Sequence, residues 1–409
     1  MRNRNTRTGM KRVGVIALTG MMAMNLMACG SQKEIEVGTI ERSPMPNPYG
    51  YYENPKLTEL PEFDEFEGYQ LSGADLTGMD LSKEYEKLKV ATFDSTTKWS
   101  GNLPGEFHPD EILKRNMTPG LKIKALHEKR IDGTGVNVAM IDQPLLIHHI
   151  EYDGKIKHYE EIGKCKDWVA QMHGSSVTSI LAGDKVGVAP GCNIYYIATD
   201  GEIKNNIKAM KRIVEMNQMM PENEKIRAIS FSTGYMETDA GYKEYIEAVK
   251  EVEENGIAFL SCSAPHKTQT NGVTSDAALS PYDGESYLYN GLYREEDKNP
   301  DDFNAYINDY QYYEYDTKTL CVPEGSRVLA SETGISDYRY DSFGGTSWGA
   351  PYIAGVYALA CQVQPDITFE KFWKIAQDTA VVIQNEGGEK SGNVINAEGI
   401  ITFLQSKSN

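Results

Sequence analysis

Ser347 lies in the stretch of the chain that is best suited to nucleophilic chemistry. Gly344, Gly345 and Thr346 precede it, and an apolar, alanine-rich run that predicts a buried helix follows it. Glycines allow a sharp turn and a close approach of the backbone. A serine at the start of such a helix has its hydroxyl and its backbone N–H beside the positive end of the helix dipole. This position suits a nucleophile that attacks a carbonyl, and an N–H that stabilises the resulting oxyanion.

Two hydrolytic arrangements could use this serine, and the order of residues along the chain separates them. Residues 345–349 spell G-x-S-x-G, which in α/β-hydrolases requires a catalytic histidine after the serine. No histidine follows His266 in this sequence, so that arrangement fails. The second arrangement needs an aspartate and then a histidine before the serine. Asp142 ends an apolar run that predicts a strand, and His173 begins a run of small residues that predicts a helix.

These three motifs, in this order, resemble those of the subtilisin family (subtilases) of serine proteases, and the similarity extends roughly from Pro119 to Ile401. The resemblance implies an α/β fold: a three-layer sandwich with a mostly parallel central sheet. It also implies Asp142 as the orienting carboxylate, His173 as the general base and Ser347 as the nucleophile. The expected activity is that of a serine endopeptidase acting on protein or peptide substrates through an acyl-enzyme. No cofactor would be required, and a structural calcium ion would be compatible with the family.

The resemblance also implies two further parts of the substrate site. In subtilases a loop after one central strand pairs with the substrate backbone and lines the side-chain pocket. The corresponding positions here are Ser230, Phe231, Ser232 and Gly234. The bulky Phe231 could equally point into the core.

The oxyanion site departs from the family pattern. Subtilases carry an Asn whose amide donates to the oxyanion, but Pro265 and His266 occupy that position here. His266 or Asn271 could replace it, and the Ser347 backbone N–H would remain. The loss of one oxyanion donor typically lowers the rate about 10²–10³-fold.

Alternating strands and helices must position these groups. Apolar runs predict strands at 136–141, 193–199 and 257–266, and a strand leading into a loop at 226–234. Helical patterns are found at 119–130, 203–219, 239–255 and 365–380. A strand with almost no polar residue is typical of a parallel sheet that is covered on both faces. Because open α/β sheets build their sites at the carboxyl ends of the strands, Asp142 is expected at that edge.

The residues before the catalytic domain predict an extracytoplasmic, anchored protein. Residues 1–28 have a basic start and a short apolar run, which is typical of a signal peptide. The small residues before Cys29 resemble a bacterial lipobox, which implies cleavage there, acylation of Cys29 and a lipid anchor in the bacterial cell membrane. An ordinary secretory signal that happens to adjoin a cysteine is the alternative. A Pro/Glu-rich tether is expected at 29–68 and an N-terminal extension at 69–115.

The peptidase domain is expected to occupy 116–409. It contains an insertion at about 275–320 that is rich in tyrosine and acidic residues. A plain loop, a contact with a substrate or partner, and a calcium site are the alternatives for this insertion. Residues 71–81 echo a pentapeptide repeat, but two copies cannot bury a solenoid core, so the echo is expected to be coincidental.

Charge and composition narrow the classes of partner and site. The formal net charge is −18, which argues against nucleic acid as a partner. The six cysteines show no metal-ligand spacing, and His148 and His149 lack an evident third ligand, so no metal site is expected. The missing oxyanion Asn and the insertion leave two alternatives to an active endopeptidase. These are a catalytically weak binding protein on the same fold, and a protease that processes only itself.

Overall fold

The computed structural model describes most of the unit Glu36–Asn409. The described ranges are 36–50, 56–64, 67–262, 277–278, 288–307, 318–385 and 387–407. Cys29, His266, Asn271 and much of the insertion lie outside the described residues. No helix among the described residues is both long enough and apolar enough to cross a bilayer.

Strands and helices alternate along the middle of the chain. The strands are β1 Tyr69–Gln70, β2 Ala91–Asp94, β3 Asn137–Asp142, β4 Ile156–Ile162, β5 Asn193–Thr199, β6 Ile226–Phe231, β7 Ala258–Ser261, β8 Ala277–Ala278, β9 Leu288–Arg294, β10 Tyr306–Ile307, β11 Leu320–Pro323, β12 Arg327–Ala330, β13 Tyr338–Asp341, β14 Val381–Gln384 and β15 Lys390–Val394. The α-helices are α1 Tyr85–Leu88, α2 Pro109–Asn116, α3 Ile123–Glu128, α4 Met172–Ala182, α5 Ile203–Met219, α6 Tyr242–Glu254, α7 Gly349–Val363, α8 Phe369–Asp378 and α9 Ala397–Lys407.

A five-stranded parallel sheet forms the middle layer of the fold. Its spatial order is β4-β5-β3-β6-β7. Helices α5 and α6 pack together in one covering layer, and α4 and α7 pack together in the other. All six residues of β3 are buried, as expected for a central strand covered on both faces. The predicted three-layer α/β architecture is therefore confirmed, and Asp142 ends its central strand at the carboxyl edge.

Helix α7, which follows the turn that contains Ser347, is buried from Gly349 to Cys361. The small residues of this helix allow close packing. A Cβ on Gly355 would lie 2.6 Å from the Cβ of Val188, so the helix backbone passes directly over that side chain. The predicted buried helix is confirmed, and its composition follows from the lack of space around it.

Two further sheets, of six and four strands, accompany the middle layer. One has the order β10-β9-β11-β15-β14, with β8 paired to β9, and the other has the order β1-β2-β13-β12. The second sheet joins the N-terminal extension to strands near the nucleophile. It covers a separate apolar core that includes Phe93, Phe107 and Tyr340.

The repeat-like segment 71–81 proves to be structural. Leu71, Leu76 and Leu81, spaced five residues apart, are all fully buried in that separate core. Bridges join Asp75 to Lys98 and Asp80 to Asn102. The expectation of coincidence was wrong because this segment does not bury a core of its own. It completes a core that β2 and β13 supply.

One described part of the expected tether, residues 36–50, lies against the domain. Ile40 pairs with Tyr159 of β4 through a parallel bridge. The Arg42 guanidinium is 2.6 Å from Glu161, whose side chain is almost fully buried. This stretch therefore adds to the edge of the middle sheet.

Most predicted elements are confirmed, and the errors lie at element ends: the strand predicted over 257–266 ends at Ser261. Helix α5 has the predicted bounds. Helix α3 begins at Ile123 and not at 119 because Gly120, Leu121 and Lys122 have φ values of +73°, +47° and +60°. Helix α8 begins after Thr368, whose hydroxyl accepts the Lys371 N–H as an N-cap.

Candidate active site

Asp142 presents one carboxylate oxygen to two donors. Its Oδ1 accepts a hydrogen bond from the Gln143 backbone N–H at 2.7 Å and lies 2.8 Å from His173 Nδ1. The Asp142 side chain is 4% exposed. A buried carboxylate that holds Nδ1–H leaves Nε2 of the imidazole to accept a proton, which is the arrangement a general base needs.

His173 is the second residue of α4, and a close approach of α4 to the end of β3 brings it to Asp142. A Cβ on Gly174 would lie 2.3 Å from the Gln143 carbonyl oxygen and 2.6 Å from the Tyr196 hydroxyl, so only glycine fits there. Burial acts to lower the pKa of His173. The charge and the hydrogen bond of Asp142 outweigh it, so the pKa of His173 is raised above its usual value.

Ser347 lies in the 3₁₀ turn Thr346–Trp348, immediately before α7. Its Oγ donates to the Ser232 carbonyl oxygen at 3.4 Å, while the Ser232 hydroxyl donates to the Ser347 carbonyl oxygen at 2.7 Å. Trp348 links this turn to the base, because its ring centroid is 5.3 Å from that of His173. Among the described residues, Ser347 Oγ and His173 Nε2 are not hydrogen-bonded to each other. The structure thus brings the three predicted residues to one edge of the sheet with the Ser347 hydroxyl turned toward Ser232.

Three side chains that the sequence analysis did not assign to the site contact the 3₁₀ turn that contains Ser347. They are those of Tyr289, Cys262 and Asp341. The Tyr289 hydroxyl donates to the Thr346 carbonyl oxygen at 2.8 Å, and the Cys262 thiol lies 3.3 Å from the same oxygen. The Trp348 indole N–H donates to Asp341 Oδ2 at 3.2 Å. Tyr289 lies in the expected insertion, where its many neighbouring tyrosines concealed its role.

Glu324 is a fully buried carboxyl beside the same turn. A Cβ on Gly344, whose φ is +76°, would meet the Glu324 carbonyl oxygen at 2.2 Å. A Cβ on Gly291 would meet Glu324 Oε2 at 2.1 Å, so two glycines make room for this residue. Neither carboxyl oxygen has a hydrogen-bond partner among the described residues. Burial raises the pKa of Glu324 to about 8, although Arg327 opposes the shift.

The residues of the predicted substrate loop are placed differently from one another. The Phe231 side chain is 1% exposed and packs on Phe259 and Tyr245, so it belongs to the core and cannot line a pocket. Ser230 and Ser232 are also buried, whereas Gly234 is exposed. The Phe231 ring is therefore excluded from the side-chain pocket that the sequence analysis assigned to this loop.

Three predicted site residues stay predictions. His266 and Asn271, the candidate replacements for the oxyanion Asn, lie outside the described residues, as does Cys29. The Ser347 backbone N–H, the remaining donor that the sequence analysis expected, lies among the described residues.

The two adjacent histidines have separate partners. His148 Nδ1 is 2.9 Å from Asp153, and His149 Nε2 is 2.8 Å from the Asp337 carbonyl oxygen. Within the described ranges, no group of three or more His, Cys, Asp or Glu side chains could hold a metal ion. The calcium ion that the sequence analysis allowed stays a prediction. Cys165, Cys192, Cys262 and Cys361 are free thiols.

Comparison with known proteins identifies relatives of the chain. The model of the subtilase family (Peptidase S8) matches residues 133–399. The chain is 24% identical over 243 residues to the subtilisin-like serine protease pepC of Aspergillus niger, which covers 57% of this chain and 42% of the relative. It is 25% identical over 250 residues to the subtilisin-like serine protease Rho m 2.0101 of Rhodotorula mucilaginosa, which covers 59% and 66%. The match spans less than half the length of the first curated relatives. A solved structure titled "Structural basis of subtilase cytotoxin SubAB assembly" shares the fold, with a TM-score of 0.51, 14% identity, and coverage of 72% of this chain and 97% of that one.

Proposed function

The chain belongs to the subtilase family, and on that basis we propose that it is a serine endopeptidase that uses Asp142, His173 and Ser347. The observation that carries the proposal is the 2.8 Å contact between a buried aspartate and the imidazole of His173, next to a serine at the start of a buried helix. This arrangement provides a base, the group that orients it, and a nucleophile beside a helix dipole.

The mechanism begins with a rotation of the Ser347 side chain. Its Oγ leaves the Ser232 carbonyl oxygen and donates to His173 Nε2; catalytic hydrogen bonds that are absent without substrate often form only in the complex. As Oγ attacks the peptide carbonyl carbon, Nε2 takes the hydroxyl proton. The Asp142 carboxylate stabilises the imidazolium that results.

Collapse of the tetrahedral intermediate breaks the C–N bond. His173 gives its proton to the leaving amine, and the acyl group stays on Ser347 as an ester. Water, deprotonated by the same imidazole, then attacks the ester, and Oγ regains a proton as the acid product leaves. The Ser347 N–H donates to the oxyanion in both halves of the reaction. If no second donor completes the site, turnover falls about 10²–10³-fold below that of a subtilase that has one.

Casein hydrolysis by the purified full-length protein tests the proposal. We expect turnover by the wild type, loss of turnover in Ser347→Ala, and unchanged turnover in Ser82→Ala, a control at an exposed serine far from the site in sequence. Equal turnover by wild type and Ser347→Ala would contradict the assignment of the nucleophile.

A second function is favoured by the resting geometry, in which Ser347 Oγ donates a hydrogen bond to the Ser232 carbonyl oxygen and not to His173. A protease held in this state could turn over weakly, bind peptides without cleaving them, or act only on its own chain. Self-processing would appear as N-terminal shortening in the wild type but not in Ser347→Ala, with no casein hydrolysis by either protein.

We also propose that the protein is anchored outside the bacterial cell membrane through a lipid on Cys29. The basic and apolar start of the sequence and the small residues before Cys29 support this proposal. Cells fed radioactive palmitate should label the wild type but not Cys29→Ser. Equal labelling of both proteins would refute lipidation at that cysteine.

A further inference from the structure

Exposed apolar side chains are concentrated at one part of the domain. Of the twelve large apolar side chains that are exposed among the described residues, half form what we call the apolar edge face. They are Met45, Tyr49, Ile150, Trp168, Val169 and Ile335. Exposed apolar residues grouped in this way mark an interaction surface, whereas single ones are normal on any protein.

Backbone hydrogen bonds connect the members of this face. The Ala170 N–H donates to the Met45 carbonyl oxygen at 2.9 Å, which brings Met45 beside Trp168 and Val169. The Ile150 N–H donates to the Ile335 carbonyl oxygen at 2.8 Å. The Asn47 N–H donates to the Glu332 carbonyl oxygen at 3.0 Å and so joins the two groups. The docked N-terminal stretch is therefore part of the face.

The apolar edge face lies on the same side of the sheet as the candidate active site. Trp168 follows the carboxyl end of β4, and Asp142 is at the carboxyl end of β3. Trp168 precedes His173 by five residues, so their Cα atoms are separated by at most about 18 Å.

The length of chain before the docked stretch limits what can cover this face. The first docked residue is Gly38, whose N–H donates to His158 Nδ1 at 3.1 Å. Only eight residues lie between it and Cys29, and the nine extended residue steps from Cys29 to Gly38 reach at most about 32 Å. A domain of this size has a radius of gyration of about 21 Å, so its diameter exceeds that reach. A lipid on Cys29 would therefore hold the domain against the bilayer.

We propose that the apolar edge face rests on the bilayer surface and holds the catalytic residues within about 20 Å of it. This inference rests on the proposed lipid anchor at Cys29. The composition of the face suits a membrane interface, because tryptophan concentrates at the headgroup level and the exposed Lys166 lies two residues before Trp168. The substrates of an enzyme held in this way are peptide segments close to the membrane, such as the juxtamembrane parts of other surface proteins.

The intrinsic fluorescence of the protein gives a direct test. Of its four tryptophans, Trp168 is 37% exposed, Trp348 and Trp373 are buried, and Trp99 is partly buried in the separate apolar core. The full-length lipid-modified protein would be reconstituted into vesicles of phosphatidylcholine and phosphatidylglycerol with brominated acyl chains. We expect weaker tryptophan emission in the brominated vesicles than in unbrominated vesicles. We also expect an emission maximum that is blue-shifted from that in detergent-free solution. Trp168→Phe should lose both effects.

A matched pair of methionines controls for general effects of surface polarity. Met45, in the face, is 69% exposed, and Met219, at the end of α5, is 58% exposed. Met45→Ser should reduce the quenching, whereas Met219→Ser should leave it unchanged. Equal quenching in Met45→Ser and Met219→Ser would overturn the proposed contact.

The outcomes separate this inference from the proposals on which it rests. Protein that floats with the vesicles through Cys29 but shows no quenching of Trp168 would overturn the contact with the bilayer. Protein that does not float would refute the anchor, and the inference with it. If Trp168 of the wild type is not quenched and Trp168→Phe loses casein hydrolysis, the face would be assigned to protein substrates. None of the lipid measurements requires turnover, so a failure of the proposed peptidase activity would be seen separately in the casein assay.

Discussion

Replacing Asp142 with asparagine measures what the carboxylate charge contributes to the candidate site. The geometry determines which atom of the new side chain would face His173. Asp142 Oδ1 accepts both the Gln143 N–H and the His173 Nδ1–H. An amide oxygen can accept both donors, whereas an amide NH₂ would accept neither. We therefore expect Asp142→Asn to keep the tautomer of His173 and to lose only the charge.

The size of the loss follows from the distance. An N–O separation of 2.8 Å places the two charge centres about 4 Å apart, which corresponds to about 4 kcal/mol at an effective dielectric constant of about 20. The imidazolium of the transition state loses this stabilisation, so kcat should fall about 10³-fold. A variant in which the wrong tautomer was selected would instead lose about 10⁴-fold.

The pH dependence gives the sign. Asp142 raises the pKa of His173 against the effect of burial, and only the neutral imidazole acts as a base. The acid limb of kcat/KM should therefore move to lower pH in Asp142→Asn. The matched control is Asp153→Asn, which alters the other Asp–His pair, at 2.9 Å but with both side chains more than 60% exposed. An acid limb that stayed in place in Asp142→Asn, or a rate equal to that of Asp153→Asn, would refute the coupling.

Three further predictions concern the support of the nucleophile turn. The pKa of Glu324 is about 8 in the folded state and near 4.5 in the unfolded chain. The free energy of unfolding should therefore fall as pH rises between these values, by at most about 1.4 kcal/mol per pH unit. Glu324→Gln should accordingly gain stability over the wild type at pH 8 but not at pH 4, and parallel curves of denaturant-derived stability against pH would contradict this. Gly344→Ala should destabilise the protein by more than about 1 kcal/mol in thermal unfolding, because the φ of +76° at Gly344 and the nearby Glu324 carbonyl exclude a Cβ. Gly345→Ala should not, because Gly345 is extended and has open space around it. Similar effects of the two substitutions would contradict this prediction. Burial raises the pKa of Cys262 to about 12, so iodoacetamide at pH 8 should alkylate this thiol only after unfolding; rapid native alkylation would show that the turn is open.

The sequence predicted the middle layer well because burial on both faces leaves a strong local signal. The apolar run before Asp142 and the small residues after His173 reflect packing constraints that any chain with this fold must meet. Gly174 shows the constraint directly, since a side chain there would collide with the end of β3. The convergence of Asp142 and His173 was predictable for the same reason.

The remaining features depend on contacts between distant parts of the chain. The docking of residues 36–50 on β4 has no local signature, because spaced prolines also suit a free tether. The burial of Leu71, Leu76 and Leu81 required knowledge that β2 and β13 would complete their core. The roles of Tyr289 and Glu324 were hidden because a tyrosine or a glutamate in sequence gives no sign of what it will contact.

The most direct test of the proposed triad is the mapping of a fluorophosphonate adduct on the full-length protein by mass spectrometry. The reagent phosphonylates only activated serines. We predict one adduct, on Ser347, formed at a rate that falls sharply in His173→Ala and in Asp142→Asn, with no adduct in Ser347→Ala. An adduct on another residue, or labelling of Ser347→Ala equal to that of the wild type, would contradict the assignment of these three residues as the catalytic machinery.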